Sequence, residues 1–392
     1  MSFLRSYALE CAVAAAIAAL VVGCNDDGSK DLAAGKAAFA ARDFVKAEKC
    51  FERCIQRSAG NAEPLVRLAL ARLEVGHKLE EARQNVEAAA KLAPGDHDIV
   101  LLDAQISWHL KDYERAKRGF TAIADDAKLA AAVRSQGWSG IGVVEKTLEN
   151  RHLARIAFLR AIRLDSGNLS AWYNLGMLYR DDFEYTDAAL EQFKIFVRRA
   201  PVANARVQRV QHTVIPELTE EIARAAAERP GAARRNSTSC AALIAKAEEA
   251  IKKKAYKTAV LRYQEALAAD ALSYAAAIGL AKAQLKVDST SKDSLKKAFA
   301  NYKLACALKP GDVPTFLAAG ELAMRRGDAA EAVNIYSRAL AANSADLRAI
   351  DGLVAALKRA GGKQKVASAY SLYRDSIASA KNASAKNAKG RK

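Results

Sequence analysis

Proline is scarce in this 392-residue chain, with seven in all, and aromatic side chains make up only 7% of it. So few prolines leave long stretches in which a helix need not be broken. So few aromatics and so little alternation of Val, Ile and Thr exclude a sheet-built core. Histidine is also thin: His77, His97, His109, His152 and His212 are scattered, and no HExxH pair occurs. No GxxxxGK[ST] phosphate loop is present, since GGKQ at 361–364 lacks the first glycine and the hydroxyl. GWSGIG at 137–142 puts Ile141 where a nucleophile elbow needs its second glycine, and it falls within a helical pattern. A catalytic constellation is therefore not expected, and neither a metal nor a cofactor is called for.

Cysteines are few and do not cluster. Beyond Cys11 and Cys24 come Cys50, Cys54, Cys240 and Cys306. Cys50 and Cys54 sit one helical turn apart, without further ligands nearby. Cys54 and Cys306 fall in or beside small-residue slots, as packing groups do.

What is abundant is alanine, with Leu, Lys, Arg and Glu, the residues that lose least on entering a helix. The fold class expected is all-α. The net charge is +17, and about half of it lies between Lys358 and the last residue, where ten basic residues face one acid, Asp375. The ending NASAKNAKGRK has nothing to bury, so residues 381–392 are expected to be a basic, disordered tail. Such a tail suits solubility, then anionic lipid or another anionic envelope polymer. Nucleic acid ranks last among these partners.

The opening segment runs apolar from Cys11 to Val22, about a dozen residues, which is short for a membrane span and suited to a signal-peptide core. It closes on Val21-Val22-Gly23-Cys24, followed at once by Asn25, Asp26 and Asp27. This resembles a bacterial lipoprotein signal. The resemblance implies cleavage before Cys24 and lipid attachment at Cys24, with residues 1–23 the signal and 24–30 a tether. It further implies an address in the bacterial cell envelope, anchored in a membrane and facing the periplasm or the exterior. Glu10 and the bulky Val22 depart from the usual pattern, so an uncleaved anchor over residues 7–23 stays open beside it.

A cadence of small, bulky, then small or apolar residues at spacings of four and three recurs along the chain. It appears at Ala47/Phe51/Cys54, Ala82/Val86/Ala89, Ala116/Phe120/Ile123, Ala154/Phe158/Ala161, Ala189/Phe193/Phe196, Ala259/Tyr263/Ala266, Ala298/Tyr302/Ala305 and Ala332/Tyr336/Ala339. The leading alanines are mostly 34 to 39 residues apart, with one gap of 70, twice the period. Upstream of the triplets lie small residues where two helices would meet: Gly35, Ala104, Gly142, Gly176, Ala247, Gly279 and Gly320. A period near 34 built of helix pairs is a repeat array.

The best-formed unit has Trp172, Leu175, Gly176 and Tyr179 in its first helix, Ala189 and Phe193 in its second, and Pro201 after it. The chain is similar to the tetratricopeptide-repeat (TPR) family, strongly in period and moderately in letters. The resemblance implies an all-α, αα-hairpin solenoid, a tetratricopeptide-repeat superhelix, in two arrays. The first covers residues 31–200 with about five hairpins, and the second covers 240–380 with about four. Residues 201–239 read as two short helical patterns either side of Pro216, a degenerate hairpin or cap, followed by a linker. The loop at 287–294 lengthens one unit.

By the same resemblance, the inner wall of each array would receive a segment of a partner protein. Register points Phe39, Arg67, Leu317 and Arg325 inward, together with the partner-binding groups Trp108, His109, Lys146, Tyr173, Met177 and Arg180. Flat aromatics mixed with cations are the surface enriched at binding hot spots. The function this implies is a non-catalytic, lipid-anchored adaptor for other envelope proteins. Its alternatives are an accessory subunit of an envelope polysaccharide or cell-wall enzyme complex, and a soluble basic repeat protein that binds nucleic acid.

Overall fold

The computed structural model describes residues 28–58, 60–201, 204–229 and 236–389. Residues 1–23 and Cys24 lie outside the described residues, as do 390–392 of the basic tail. Among the described residues there are helices and no β-strand. The chain divides into two compact units, residues 1–174 and 175–392.

In the first unit the helices are α1 (Ser29–Ala40), α2 (Phe44–Arg57), α3 (Ala62–Val75), α4 (Leu79–Leu92), α5 (His97–His109), α6 (Tyr113–Asp125), α7 (Ala131–Thr147) and α8 (Arg151–Leu164). Each packs on the next in chain order. The helix α9 (Leu169–Asp181) carries the division between the units. The second unit continues with α10 (Thr186–Arg199), α11 (Ala205–Arg209), a π turn at Val210–Val214 and α12 (Ile215–Ala227). Its remaining hairpins are α13 (Ser237–Lys252) with α14 (Tyr256–Ala269), and α15 (Tyr274–Val287) with α16 (Lys292–Leu308). They are followed by α17 (Val313–Arg325) with α18 (Ala329–Ala342), and α19 (Leu347–Arg359) with α20 (Gln364–Lys389). From α13 onward these too pack in chain order.

The recurrent triplets explain why hairpins form at these places. All 24 of their side chains are buried, the most exposed being Tyr263 at 6%. In four of the hairpins the bulky member rises from the second helix onto a glycine of the first. A methyl at Gly35 would lie 2.5 Å from the Phe51 ring, one at Gly176 2.9 Å from Phe193, and one at Gly320 2.6 Å from Tyr336. Gly142 stands in the same relation to Phe158. The ring often reaches the following hairpin as well: Gly140 of α7 abuts Phe120, Gly279 of α15 abuts Tyr263 and Gly352 of α19 abuts Tyr336. Tyr336 is thus shared between the α17–α18 hairpin and α19, the kind of packing in which a hairpin does not complete its core alone.

The turns between the helices of a pair are built alike. Arg42, Lys78, Lys111, Glu149, Glu184 and Lys254 all take positive φ, between 50° and 64°. After two of these turns an acid caps the second helix, Asp43 accepting from Lys46 N and Asp112 from Arg115 N, and after the positive-φ Gly327 Asp328 accepts from Glu331 N in the same way. Such caps satisfy the orphan N–H groups at a helix start.

Four boundaries differ from expectation, each for a local reason. Ser29 and Lys30, assigned to the tether, belong to α1, whose first turn is fixed because Asp31 accepts from Arg53 Nε (3.0 Å) and Arg57 Nη1 (2.7 Å). Pro216 does not divide two helices. It sits in the first turn of α12, directly after the π turn, where the shift of hydrogen bonding absorbs its missing N–H. In the segment 287–294, Val287 ends α15 and Lys292 starts α16, leaving only 288–291 as loop. There Asp288 accepts from the N–H groups of Thr290 and Ser291 at 2.8 and 3.0 Å. Finally, α20 runs on to Lys389, so the helix extends into residues 381–389, assigned to the tail. Their Ala, Lys and Asn simply extend a helix already nucleated at Gln364.

Candidate functional site

The first unit gathers four of the six expected partner-binding residues onto first helices of hairpins. Trp108 and His109 end α5, Lys146 ends α7 and Tyr173 lies in α9. Trp108 is half-buried on the cluster of Leu101, Ala104, Phe120 and Ile141, which holds the indole in place. Its Nε1–H donates to Thr147 Oγ1 at 3.1 Å, and Thr147 donates in turn to the Val143 carbonyl at 2.9 Å. The His109 ring meets the indole edge-on, centroids 4.9 Å apart at 86°. A large aromatic whose polar tip and ring face are both fixed loses little freedom when it binds something.

The other two residues belong to the second unit. Met177 is buried, so it packs within its hairpin and presents no surface to a partner. Arg180 pairs with its neighbour Asp181 at 2.7 Å. Of the remaining inward candidates, Leu317 is buried, Arg67 pairs with Glu63 at 3.4 Å, Phe39 stacks edge-on with Phe44 and Arg325 donates to the Ser289 carbonyl.

Groups missed from the sequence are charged side chains between hairpins. Glu48 of α2 is buried, yet it accepts from Lys78 Nζ (2.8 Å) and Arg72 Nε (3.1 Å), with His77 Nε2 at 3.1 Å. Burial pushes its carboxyl up, and Lys78 and Arg72 together outweigh that, so it sits below the ordinary glutamate range. Glu145 of α7 is likewise buried and meets Lys117 Nζ at 2.6 Å. Arg160 lies over the Trp138 ring at 4.5 Å. These contacts tie neighbouring helices; their partners are 22 to 30 residues apart in the chain, which is why no local pattern announces them.

In the second unit a cavity of about 260 Å³ opens between α16 and α18 over α17. Its apolar floor includes Phe316, Ala319 and Ile335, and its rim includes Lys303, Asn334 and Arg338. Cys306 also lines it. Burial, eased by Arg338 and reinforced by Asp312, pushes that thiol up to about 12, so it stays protonated and is a packing group at neutral pH. Lys303 is held by Glu331 at 2.7 Å. Among the described residues no three His, Cys, Asp or Glu side chains gather to hold a metal ion, and no helix is long and apolar enough to cross a membrane.

Helix pairs at a period near 34, with small residues of the first helix against a ring of the second, decide the architecture. The fold is a tetratricopeptide-type repeat. No family model matches the chain, and no curated protein matches it. Among solved structures, MamA of Desulfovibrio magneticus RS-1 is similar at 16% identity over 45% of this chain and 97% of its own, with a TM-score of 0.38. TTC0263, a thermophilic TPR protein of Thermus thermophilus, is similar at 20% identity over 48% and 99%, with a TM-score of 0.40. PilW, a type IV pilus biogenesis factor, is similar at 14% identity over 52% and 94%, with a TM-score of 0.41. The tetratricopeptide-type assignment rests on the hairpins of this chain, not on these likenesses.

Proposed function

We propose that the chain is a non-catalytic adaptor of the bacterial cell envelope, anchored by acyl chains on Cys24, whose tetratricopeptide-type hairpins hold segments of other proteins. The observation that carries the binding role is the fixed aromatic pair Trp108–His109 on α5. Trp108 rests on the repeat core and is only half-buried there, as is His109 beside it, and the surface the pair keeps exposed is the one we assign to a partner. We assign Lys146 and Tyr173, on the first helices of the following hairpins, to the same binding role.

The anchoring role rests on the apolar run ending at Val21-Val22-Gly23-Cys24 and on the polar residues after it. Stable anchoring requires more than one acyl chain, each buried CH₂ contributing about 0.8 kcal/mol. Because α1 already begins at Ser29, at most about 18 Å of extended chain separates Cys24 from the first hairpin. The first hairpin of the adaptor would therefore work close against the membrane.

Fractionation of cells expressing Cys24→Ser tests the address. Release of the variant from membranes is the expected result, and unchanged membrane association refutes acylation at Cys24. Partner capture tests the binding role: Trp108→Ala/Tyr173→Ala should lose crosslinked partners that the wild type retains.

A further inference from the structure

Two segments about 150 residues apart meet in the second unit. Tyr185 Oη donates to Asn334 Oδ1 at 2.9 Å, with the Asn334 carbonyl 3.3 Å away. Arg338 Nη2 donates to Asp187 Oδ1 at 3.1 Å, and the same guanidinium lies 5.1 Å from the centre of the Tyr185 ring. Asn334 and Arg338 are one turn apart on α18, so they form a row. Tyr185 and Asp187, either side of the start of α10, deliver a phenol and a carboxylate to that row together. A second tie, from Arg229 Nη2 to the Ala307 carbonyl at 2.8 Å, reaches the end of α16.

Asn334, Arg338 and Ala307 all line the 260 Å³ cavity between α16 and α18. The chain's own segment thus uses the polar rim of that cavity and leaves its apolar floor unfilled. The chemistry on the rim is specific: a cation that takes both a ring and a carboxylate, and a side-chain amide one turn away that takes a phenolic hydroxyl. A ligand offering the same groups plus an apolar residue for the floor would make every contact the chain's own segment makes, and more.

We propose that the α16–α18 face is a docking surface for a partner-protein segment carrying a tyrosine followed two residues later by an acidic residue, and that Tyr185–Asp187 occupies it in the closed form of the chain. This rests on the adaptor function above and adds its partner chemistry and its control. The closure is made of contacts that are individually weak: a partly exposed ion pair, a cation–π contact and a hydrogen bond. Together they hold the closed form in an excess of roughly tenfold to hundredfold, and apparent affinity for a competing segment falls by that same factor. The partner therefore has to outcompete a built-in substitute, which filling the apolar floor allows.

The probe is a fluorescein-labelled peptide of the chain's own residues 181–190, titrated by anisotropy against full-length protein. Tyr185→Phe/Asp187→Ala opens the closure while keeping the ring that packs on Phe183 and Tyr179. It should bind the peptide at least tenfold more tightly than the wild type. Adding Arg338→Asp should abolish that binding, and a peptide carrying Asp187→Lys should restore it. Hydrogen exchange at residues 334–338 should speed up in the opened variant. Equal peptide binding by the opened and wild-type chains overturns the proposal. So does unchanged exchange at 334–338, since the contact would then be permanent packing. If the peptide fails while partners still crosslink at Tyr173, this docking surface is wrong and the adaptor stands. If the peptide binds while crosslinking at Tyr173 fails, the surface stands and the adaptor's first-unit face is wrong.

Discussion

Adding one methyl group at Gly320 should change sign in its effect depending on what faces it. In the middle of α17, Gly→Ala favours the helix by roughly 0.8–1 kcal/mol. Against this, the new Cβ would stand 2.6 Å from Cε1 and Cζ of Tyr336, about 1 Å inside ordinary contact. The ring cannot retreat, because Gly352 of α19 closes its other side and only 4% of Tyr336 is exposed. Overpacking of this kind costs about 1–3 kcal/mol, so Gly320→Ala should be neutral to about 2 kcal/mol destabilising in the wild type. Tyr336→Ala alone should cost about 3–5 kcal/mol, as other buried aromatics do. With the ring gone, Gly320→Ala should stabilise by nearly its full helix propensity, a coupling of about 1–3 kcal/mol between the two positions. Because repeat arrays do not always unfold in one step, urea melts should be followed by hydrogen exchange resolved to α17, α18 and α19. Gly320→Ala stabilising both backgrounds equally would refute the claim that the ring is wedged between glycines of adjacent hairpins.

Other outcomes follow from the charged and thiol groups. Glu48 has a folded pKa below its unfolded value near 4.5, so its contribution is fully present above that value and is lost as pH falls through the folded value. Hydrogen exchange of α2 and α3 should therefore accelerate below about pH 4.5 in the wild type, and Glu48→Gln should flatten that dependence; identical profiles would remove Glu48 as the cause. Cys50, Cys54, Cys240 and Cys306 are all buried, so native protein at about pH 8 should resist iodoacetamide at these four positions and take it up in urea. Rapid native labelling of Cys306, whose thiol is pushed up to about 12, would contradict its placement. Thr147→Val removes the acceptor for the Trp108 indole and should weaken partner capture without unfolding α7. Undiminished capture would separate the indole's orientation from binding.

The hairpins were legible because their packing is a local constraint. A ring such as Phe51 needs a glycine or alanine opposite it, and the connection between Gly35 and Phe51 is only 16 residues long, so it repeats as a visible cadence. The second contact of each ring was less visible: Gly140 and Gly352 answer to rings of a preceding hairpin, and GWSGIG, a glycine-rich oddity in the sequence, is packing surface within α7. Pro216 shows the limit of reading breakers singly, since a π turn just before it keeps the helix continuous. Met177 shows the limit of register, because it follows Tyr173 by four residues on the same face of α9 and is nonetheless buried. The Tyr185–Asp187 contact with α18 left no periodic trace, as its two halves are independent of the repeat that carries them.

Site-specific photocrosslinking in intact cells tests the binding role most directly. A photoreactive residue at position 173, on a first helix, is compared with one at position 45 or 92, both exposed on second helices. Crosslinks to other proteins from 173, lost on Trp108→Ala, and none from 45 or 92, are the result predicted. Crosslinks from 45 and 92 with none from 173 would contradict it.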